Sequence, residues 1–208
     1  MTSSHSFKPN SSLLKSGSYV NGNWLSDSDS TFAVLNPASG EKIATISNAT
    51  AADATLAVDA ASSALLPWRN KSVKERSHLL RCWFDLVMQN KEELAEILTV
   101  EQGKPLAESL GEVIYGANYI EWFAEEAKRV YGDTIPAPSA DKRIVVIKQA
   151  IGVVSAITPW NFPSSMITRK AAPAMAAGCS FIVKAATETP LSALALAELA
   201  HQAGIPPG

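Results

Sequence analysis

Ile151-Gly-Val-Val-Ser-Ala-Ile157, followed by Thr158-Pro-Trp-Asn-Phe-Pro163 and later by Ser180-Phe-Ile-Val-Lys184, decides the fold. The first run is almost continuously apolar, as expected of a strand buried on both faces of a parallel sheet. Ser164 to Ala177 reads as helical despite Pro173, and Ser180 to Lys184 reads as a second buried strand. Thr189-Pro190 opens a further helix running to about Gln202, with Gly204 as its stop. The βαβα alternation over residues 151–208 implies an open α/β sheet with flanking helices. With only two parallel strands ahead of Pro206-Pro207-Gly208, the sheet reads as incomplete and the chain as truncated.

Upstream the pattern is different. Tyr19 to Leu25, Thr31 to Leu35 and Ile43 to Ile46 are short β-leaning runs divided by turn residues, so a small antiparallel sheet is expected. Thr50 to Asp53, Ser72 to Glu75 and Asn90 to Glu93 resemble capping boxes, each opening an apolar-periodic segment. Their expected core faces are Leu56 and Ala60, then Leu79, Leu80, Trp83 and Val87, then Leu94, Ile97 and Leu98. Pro105 opens a fourth helix whose apolar stripe runs from Leu106 and Leu110 through Val113, Ala117, Ile120, Ala124 and Ala127 to Tyr131, before Gly132. Asp133 to Ala140 reads as a loop, and Arg143 to Lys148 as an exposed strand suited to a sheet edge or an oligomer contact. The expected organisation is a disordered lead-in over 1–16, a helical part with the small sheet over 17–133, a bridging strand segment over 134–150, and the start of the parallel sheet over 151–208.

Composition excludes several classes. The chain has 208 residues, 47% hydrophobic and 18% charged, with a formal net charge of −2, so it is neither a disordered tail nor a disulfide-stapled mini-protein. No basic excess is available to neutralise a row of phosphates or to settle on anionic lipid, and nucleic acid is not expected as a partner. No apolar stretch approaches the length of a membrane helix. The Ser-rich first 16 residues lack Arg and an apolar core, which argues against a targeting peptide. Cys82 and Cys179 are too few and too far apart for a disulfide framework, and a reducing compartment is expected: cytoplasmic, with a mitochondrial location left open.

In open parallel sheets, ligands gather beyond the carboxyl ends of the strands. There the prolines of Thr158-Pro159-Trp160-Asn161-Phe162-Pro163 stiffen a turn around one neutral amide. Asn161 fits an oxyanion donor, and fits a turn-capping Asn equally well. Lys184, at the end of the second strand, suits ribose hydroxyls or a phosphate, or is an ordinary solvated Lys. There is no Gly-x-Gly-x-x-Gly fingerprint and no Walker sequence. His78 and Cys82 share a helix face, but two ligands do not make a zinc site, and no metal is expected. Cys179, just before a buried strand, reads as a small hydrophobe. Glu125, Glu126, Lys128 and Arg129 read as a solvated charged face.

Thr158-Pro-Trp-Asn-Phe-Pro163, Ala176-Ala-Gly-Cys179 and Val183-Lys184 together resemble the aldehyde dehydrogenase superfamily. Glu101-Gln-Gly-Lys-Pro-Leu-Ala-Glu108, Gly111-Glu112, Pro67-Trp68 and Arg76 fit the same pattern, so the resemblance covers nearly the whole chain. Glu121 to Pro136 and Met166-Ile-Thr-Arg-Lys170 are similar to its succinate-semialdehyde dehydrogenase branch. The resemblance implies the N-terminal part of that fold, an atypical Rossmann-like parallel sheet carrying NAD or NADP. A Cys beyond Gly208 would attack the aldehyde, hydride would pass to the nicotinamide, and water activated by a downstream Glu would hydrolyse the thioester. The chain by itself is then expected to be inactive.

By the same resemblance, Asn161 donates to the oxyanion, while Thr158, Pro159 and Trp160 border the nicotinamide. Lys184 would contact the adenosine ribose, with Ala185, Ala186 and Thr187 continuing the cofactor loop. Many NAD-preferring relatives carry Glu where Thr187 stands, so its absence favours NADP or dual use; Ala185 also departs from the usual Pro. Arg169, eight positions after Asn161, would hold the distal carboxylate of a semialdehyde, with a plain surface Arg as the alternative. The expected activity is oxidation of succinate semialdehyde to succinate in 4-aminobutyrate catabolism, by a homo-oligomer when full length. Two alternatives stand beside it. One is a glutarate-semialdehyde or related aldehyde dehydrogenase; the other is a non-catalytic chain that binds nucleotide or mixes into oligomers.

Overall fold

Two capping boxes start the helical layer. In the computed structural model, which describes residues 12–26 and 30–208, the Thr50 hydroxyl accepts from the Asp53 amide while the Thr50 amide donates to the Asp53 carboxylate at 2.7 Å, opening α1 (Ala51–Arg69). Ser72 and Glu75 repeat the arrangement at the start of α2 (Val73–Gln89). The third expected box does not form. Asn90 alone separates α2 from α3 (Lys91–Gln102), its φ of −105° and ψ of 15° are not those of an extended cap, and its side chain donates back to the Leu86 carbonyl at 2.7 Å. It closes α2 and makes no side-chain bond to α3. The fourth helix, α4 (Leu106–Glu126), ends in a 3₁₀ turn over Ala127–Arg129, short of Tyr131. Pairing of Lys128 with Glu125 and of Arg129 with Glu126 at i,i+3 spacing accompanies the tightened turn.

The N-terminal sheet is two hairpins rather than one. β1 (Ser18–Val20) and β2 (Asn23–Leu25) pair around Asn21-Gly22, both at positive φ as a two-residue hairpin turn requires. β3 (Thr31–Leu35) and β4 (Lys42–Ser47) form the second. Residues 12–16 differ from the expected lead-in. Leu13 is 2% exposed in the core, Lys15 pairs with Glu198 at 3.1 Å, and the Ser16 carbonyl accepts from Ser47. Residues 1–11 lie outside the described residues.

The stretch expected as a loop from Asp133 begins with a strand. β5 (Asp133–Ile135) pairs antiparallel with β6 (Ile144–Val146), and Gly132 is required there because a Cβ would collide with the Val146 carbonyl oxygen. The parallel unit follows as expected: β7 (Val153–Ile157), α5 (Ser165–Ala176), β8 (Ser180–Lys184) and α6 (Pro190–Gln202), with Val153 opposite Ser180 and Ile157 opposite Lys184. The expected burial fails here: in β8 only Ser180 is buried, Phe181, Ile182 and Val183 are half-buried and Lys184 is exposed. β7 is not buried on both faces, since Ile157 is 80% exposed and Ser155 is also exposed; among the described residues β8 alone pairs with it.

The core lies where α2, α3, α4 and α6 meet α5, around Leu80, Trp83, Ile97, Val113, Ile120 and Leu196. Two indoles fix its orientation: Trp68 Nε1 donates to the Met175 carbonyl at 3.1 Å and Trp83 Nε1 to the Leu196 carbonyl at 3.2 Å. The first of these turns α1 so that Ala61 and Trp68 are buried. Leu56, expected in the core, is 54% exposed, and Leu106 and Tyr131 also face outward. Among the described residues no helix is long and apolar enough to cross a membrane.

Arg76 ties the layers together. Buried, it donates from Nε to the carbonyl of Ala176, the last residue of α5, and from Nη1 to the carbonyls of Arg69, the last residue of α1, and of Lys71 just beyond it. Arg76→Met keeps much of the stem but strands those three acceptors. It is expected to lower the unfolding free energy by roughly 2–4 kcal/mol, read as a lower urea midpoint at constant m-value. An unshifted midpoint would show that the carbonyls find other donors.

Candidate functional site

The parallel pairing continues one step past the strand ends. The Thr158 amide donates to the Lys184 carbonyl at 3.1 Å, so the loop beginning Thr158-Pro159-Trp160-Asn161 and the loop Lys184-Ala185-Ala186-Thr187 leave the same edge of the sheet side by side. Both predicted segments are thereby brought together at the strands' carboxyl ends. Thr158 is buried, Ala185 and Ala186 are half-buried, and Pro159, Lys184 and Thr187 are exposed; Trp160 is exposed as well.

Asn161 is exposed, and among the described residues its side-chain amide makes no hydrogen bond; its backbone carbonyl does. Lys104 Nζ donates to that carbonyl at 3.0 Å and lies 4.3 Å from the centre of the Phe162 ring. The same ammonium pairs with Glu112 Oε2 at 2.5 Å, in a setting where the Glu112 side chain is 1% exposed. Glu112 Oε1 accepts from the amides of Ser164 (2.9 Å) and Ser165 (3.1 Å), where α5 begins. One ion pair therefore grips the loop on both sides of Pro163. Negative charge at a helix N-terminus is favoured by the helix dipole, and the two amides would otherwise be unsatisfied.

Sequence reading gave neither Lys104 nor Glu112 a role. The signal was present: Glu112 sits in the buried stripe of α4, three residues after Ser109, four before Gly116, and beside Val113. Glu101-Gln102-Gly103-Lys104-Pro105 now resolves residue by residue. Gly103, at φ 90°, ends α3 in the left-handed conformation, and Pro105 precedes α4. Between them Lys104 turns to the Asn161 loop. Glu101 turns the other way, its two oxygens accepting from the amides of Leu191 and Ser192 at 2.7 Å each, in the first turn of α6. Burial pushes the Glu101 carboxyl up to about 7, against the lowering effect of its hydrogen bonds from Ser192 and Leu191.

Arg169 lies in α5 and is exposed, its guanidinium 5.4 Å from the Tyr119 ring centre; the Tyr119 hydroxyl in turn meets that of Tyr115. Cys179, 3% exposed, precedes β8 at its amino end. Lys184 is five residue steps away along the strand, about 16 Å. His78 Nε2 and Cys82 Sγ approach to 3.7 Å on α2, but among the described residues no group of three potential metal ligands exists.

The profile of the Aldehyde dehydrogenase family matches residues 24–208. The chain is 59% identical to 3-sulfolactaldehyde dehydrogenase of Pseudomonas putida, 57% to glutarate-semialdehyde dehydrogenase of P. putida KT2440, and 54% to the NADP(+) succinate-semialdehyde dehydrogenase GabD of Escherichia coli K12. These alignments cover 94–95% of the chain and 41% of each relative. A crystal structure of an E. coli NADP-dependent enzyme superposes with a TM-score of 0.94 at 54% identity, over 96% of this chain and 42% of that one. The chain thus spans about two fifths of the length of the curated relatives it matches.

Glu101 makes stability depend on pH. Because its folded-state pKa of about 7 lies above the ordinary 4.5, the folded chain retains a proton that the unfolded chain loses between those values. Its contribution is fully present below about pH 4.5 and disappears as pH rises through 7, a loss of roughly 3 kcal/mol. Glu101→Gln is expected to flatten that slope in unfolding free energies measured from pH 4.5 to 7.5. Parallel profiles for the two proteins would mean that the folded state already holds Glu101 as a carboxylate.

Proposed function

The chain belongs to the aldehyde dehydrogenase family, and from that footing we propose that it provides the cofactor-binding strand tips and the oxyanion donor of an NAD(P)-dependent enzyme oxidising succinate semialdehyde to succinate. The Thr158–Lys184 backbone bond supports this reading, because it brings the loop that carries Asn161 and the strand end that carries Lys184 to one edge of one sheet. That edge suits a dinucleotide. Lys184 offers a cation to ribose hydroxyls, Ala185 and Ala186 leave the backbone approachable, and the exposed Thr187 hydroxyl adds a donor without a charge. A carboxylate at position 187 would repel a 2′-phosphate, so Thr187 supports NADP or dual use. When bound, the nicotinamide supplies the hydride acceptor.

The chain's own residues then have separable tasks. Asn161 donates its side-chain N–H to the aldehyde oxygen as negative charge develops there, an interaction worth about 3 to 4 kcal/mol when well aimed. Pro159 and Pro163 limit the loop's freedom, and Trp160 offers an apolar surface beside the cofactor. Arg169 binds the far end of the substrate as a guanidinium–carboxylate pair. A distal anion is common to the aldehydes named for all three relatives: a sulfonate in sulfolactaldehyde and a carboxylate in each semialdehyde. The 57% identity to a glutarate-semialdehyde dehydrogenase supports that aldehyde as a second reading, since one methylene changes pocket fit by only about 1 to 3 kcal/mol. The exposed β5–β6 hairpin, with Val145 68% exposed, supports pairing between copies in a homo-oligomer.

The test is a chimera in which this chain replaces the matching portion of the E. coli succinate-semialdehyde dehydrogenase. Asn161→Ala is expected to lower kcat about a hundredfold or more with little change in cofactor affinity; undiminished turnover would remove the oxyanion role, and the turn-capping alternative is already contradicted, since the side-chain amide bonds no backbone group among the described residues. Arg169→Met is expected to reduce kcat/KM for succinate semialdehyde by roughly 2 kcal/mol while sparing an uncharged aldehyde. An equal loss on both substrates would remove the carboxylate role.

A further inference from the structure

We propose that Lys104, held in place by Glu112, is a positioning residue that aims the Asn161 side chain, an inference that rests on the oxyanion role given to Asn161 above. A side-chain amide two bonds from the backbone points only as accurately as its own peptide plane is held. Asn161 is exposed, and no side-chain bond among the described residues fixes it. What fixes its backbone is Lys104 Nζ on its carbonyl at 3.0 Å, reinforced by the contact of the same ammonium with the Phe162 ring at 4.3 Å. Lys104 itself has little freedom. Its side chain is 11% exposed, and its charge is matched by a Glu112 carboxylate that is 1% exposed and also bound to the Ser164 and Ser165 amides.

The loop is therefore clamped at Asn161 and again at the start of α5, with both clamps meeting in one ion pair supplied by the helical layer. Removing the ammonium frees the Asn161 carbonyl while leaving Asn161 present. Small misplacements of a catalytic donor reduce rate by one to two orders of magnitude, whereas nucleotide binding at Lys184 would not pass through this clamp.

Two readouts test it. In the chimera, Lys104→Met is expected to lower kcat at least tenfold with the KM for nucleotide changed less than twofold, and Lys104→Arg, which can still donate to both partners, to restore most of the loss. In the 208-residue chain labelled with nitrogen-15, the Asn161 side-chain amide resonance, assigned by its disappearance in Asn161→Ala, is expected to shift or broaden in Lys104→Met and to stay near its original position in Lys104→Arg. Should Lys104→Met not fold because Glu112 is left unpaired, Lys104→Met/Glu112→Gln removes both charges and is read in the same way.

Unchanged kcat in a folded Lys104 variant, alongside a large loss in Asn161→Ala, would overturn the positioning role and leave the functional reading intact. Unchanged kcat in Asn161→Ala would sink that reading instead. The amide resonance then decides whether Lys104 aims Asn161: a shift in Lys104→Met supports it and an unmoved resonance rejects it. Equal failure of Lys104→Met and Lys104→Arg in kcat and nucleotide KM together would indicate a merely structural role and also overturn the proposal.

Discussion

Two buried carboxylates reach from the helical layer to the first turns of α5 and α6, and the geometry of the sheet edge follows from them. Every helix begins with amide groups that have no partner within the helix, and burying them unpaired costs free energy. α5 and α6 start within a few residues of the ends of β7 and β8, at the edge where the candidate site lies. Glu112 satisfies the Ser164 and Ser165 amides, and Glu101 those of Leu191 and Ser192. Each strand-to-helix loop is thus anchored at its helical end by a side chain from α3 or α4.

The two anchors are electrostatically unlike. Glu112 is neutralised by Lys104 at bonding distance, so its burial brings a matched charge pair rather than a single charge. Among the described residues Glu101 pairs with no cation and accepts from the amides of Leu191 and Ser192, and burial raises its carboxyl toward neutrality. The charged pair stands beneath the loop carrying Asn161, and Glu101 stands under α6.

Chemistry and scaffold are consequently interlocked through a five-residue link. Glu101-Gln102-Gly103-Lys104-Pro105 ends one helix, begins the next, and sends one side chain to each crossover helix or its preceding loop. The substrate class proposed for the chain asks for a neutral donor at one end and a cation at the other. In the proposed reading Asn161 and Arg169 are such a pair, carried by one loop and the helix that leaves it, and Lys184 on the neighbouring strand is the nucleotide contact.

Much of this was legible before any coordinates. The βαβα order, the capping boxes at Thr50 and Ser72, the stripes of α2 and α3 and the loop residues from Thr158 to Thr187 all follow from local patterns of three to seven residues. Local pattern misled where a neighbouring element decided the outcome. The Trp68 indole turned α1 and exposed Leu56, Asn90 closed a helix it was expected to open, and Ile157 lacks a second strand partner among the described residues. By itself the sequence determined most of the segments that become helix or strand, β5 and the 3₁₀ end of α4 excepted, and which side chains stand at the strand tips, because periodicity, caps and turns are interactions between near neighbours. Only tertiary structure decided what Glu101, Lys104 and Glu112 do. Their partners lie 90, 57 and 52 positions away along the chain, and a backbone donor or acceptor leaves no mark in residue type.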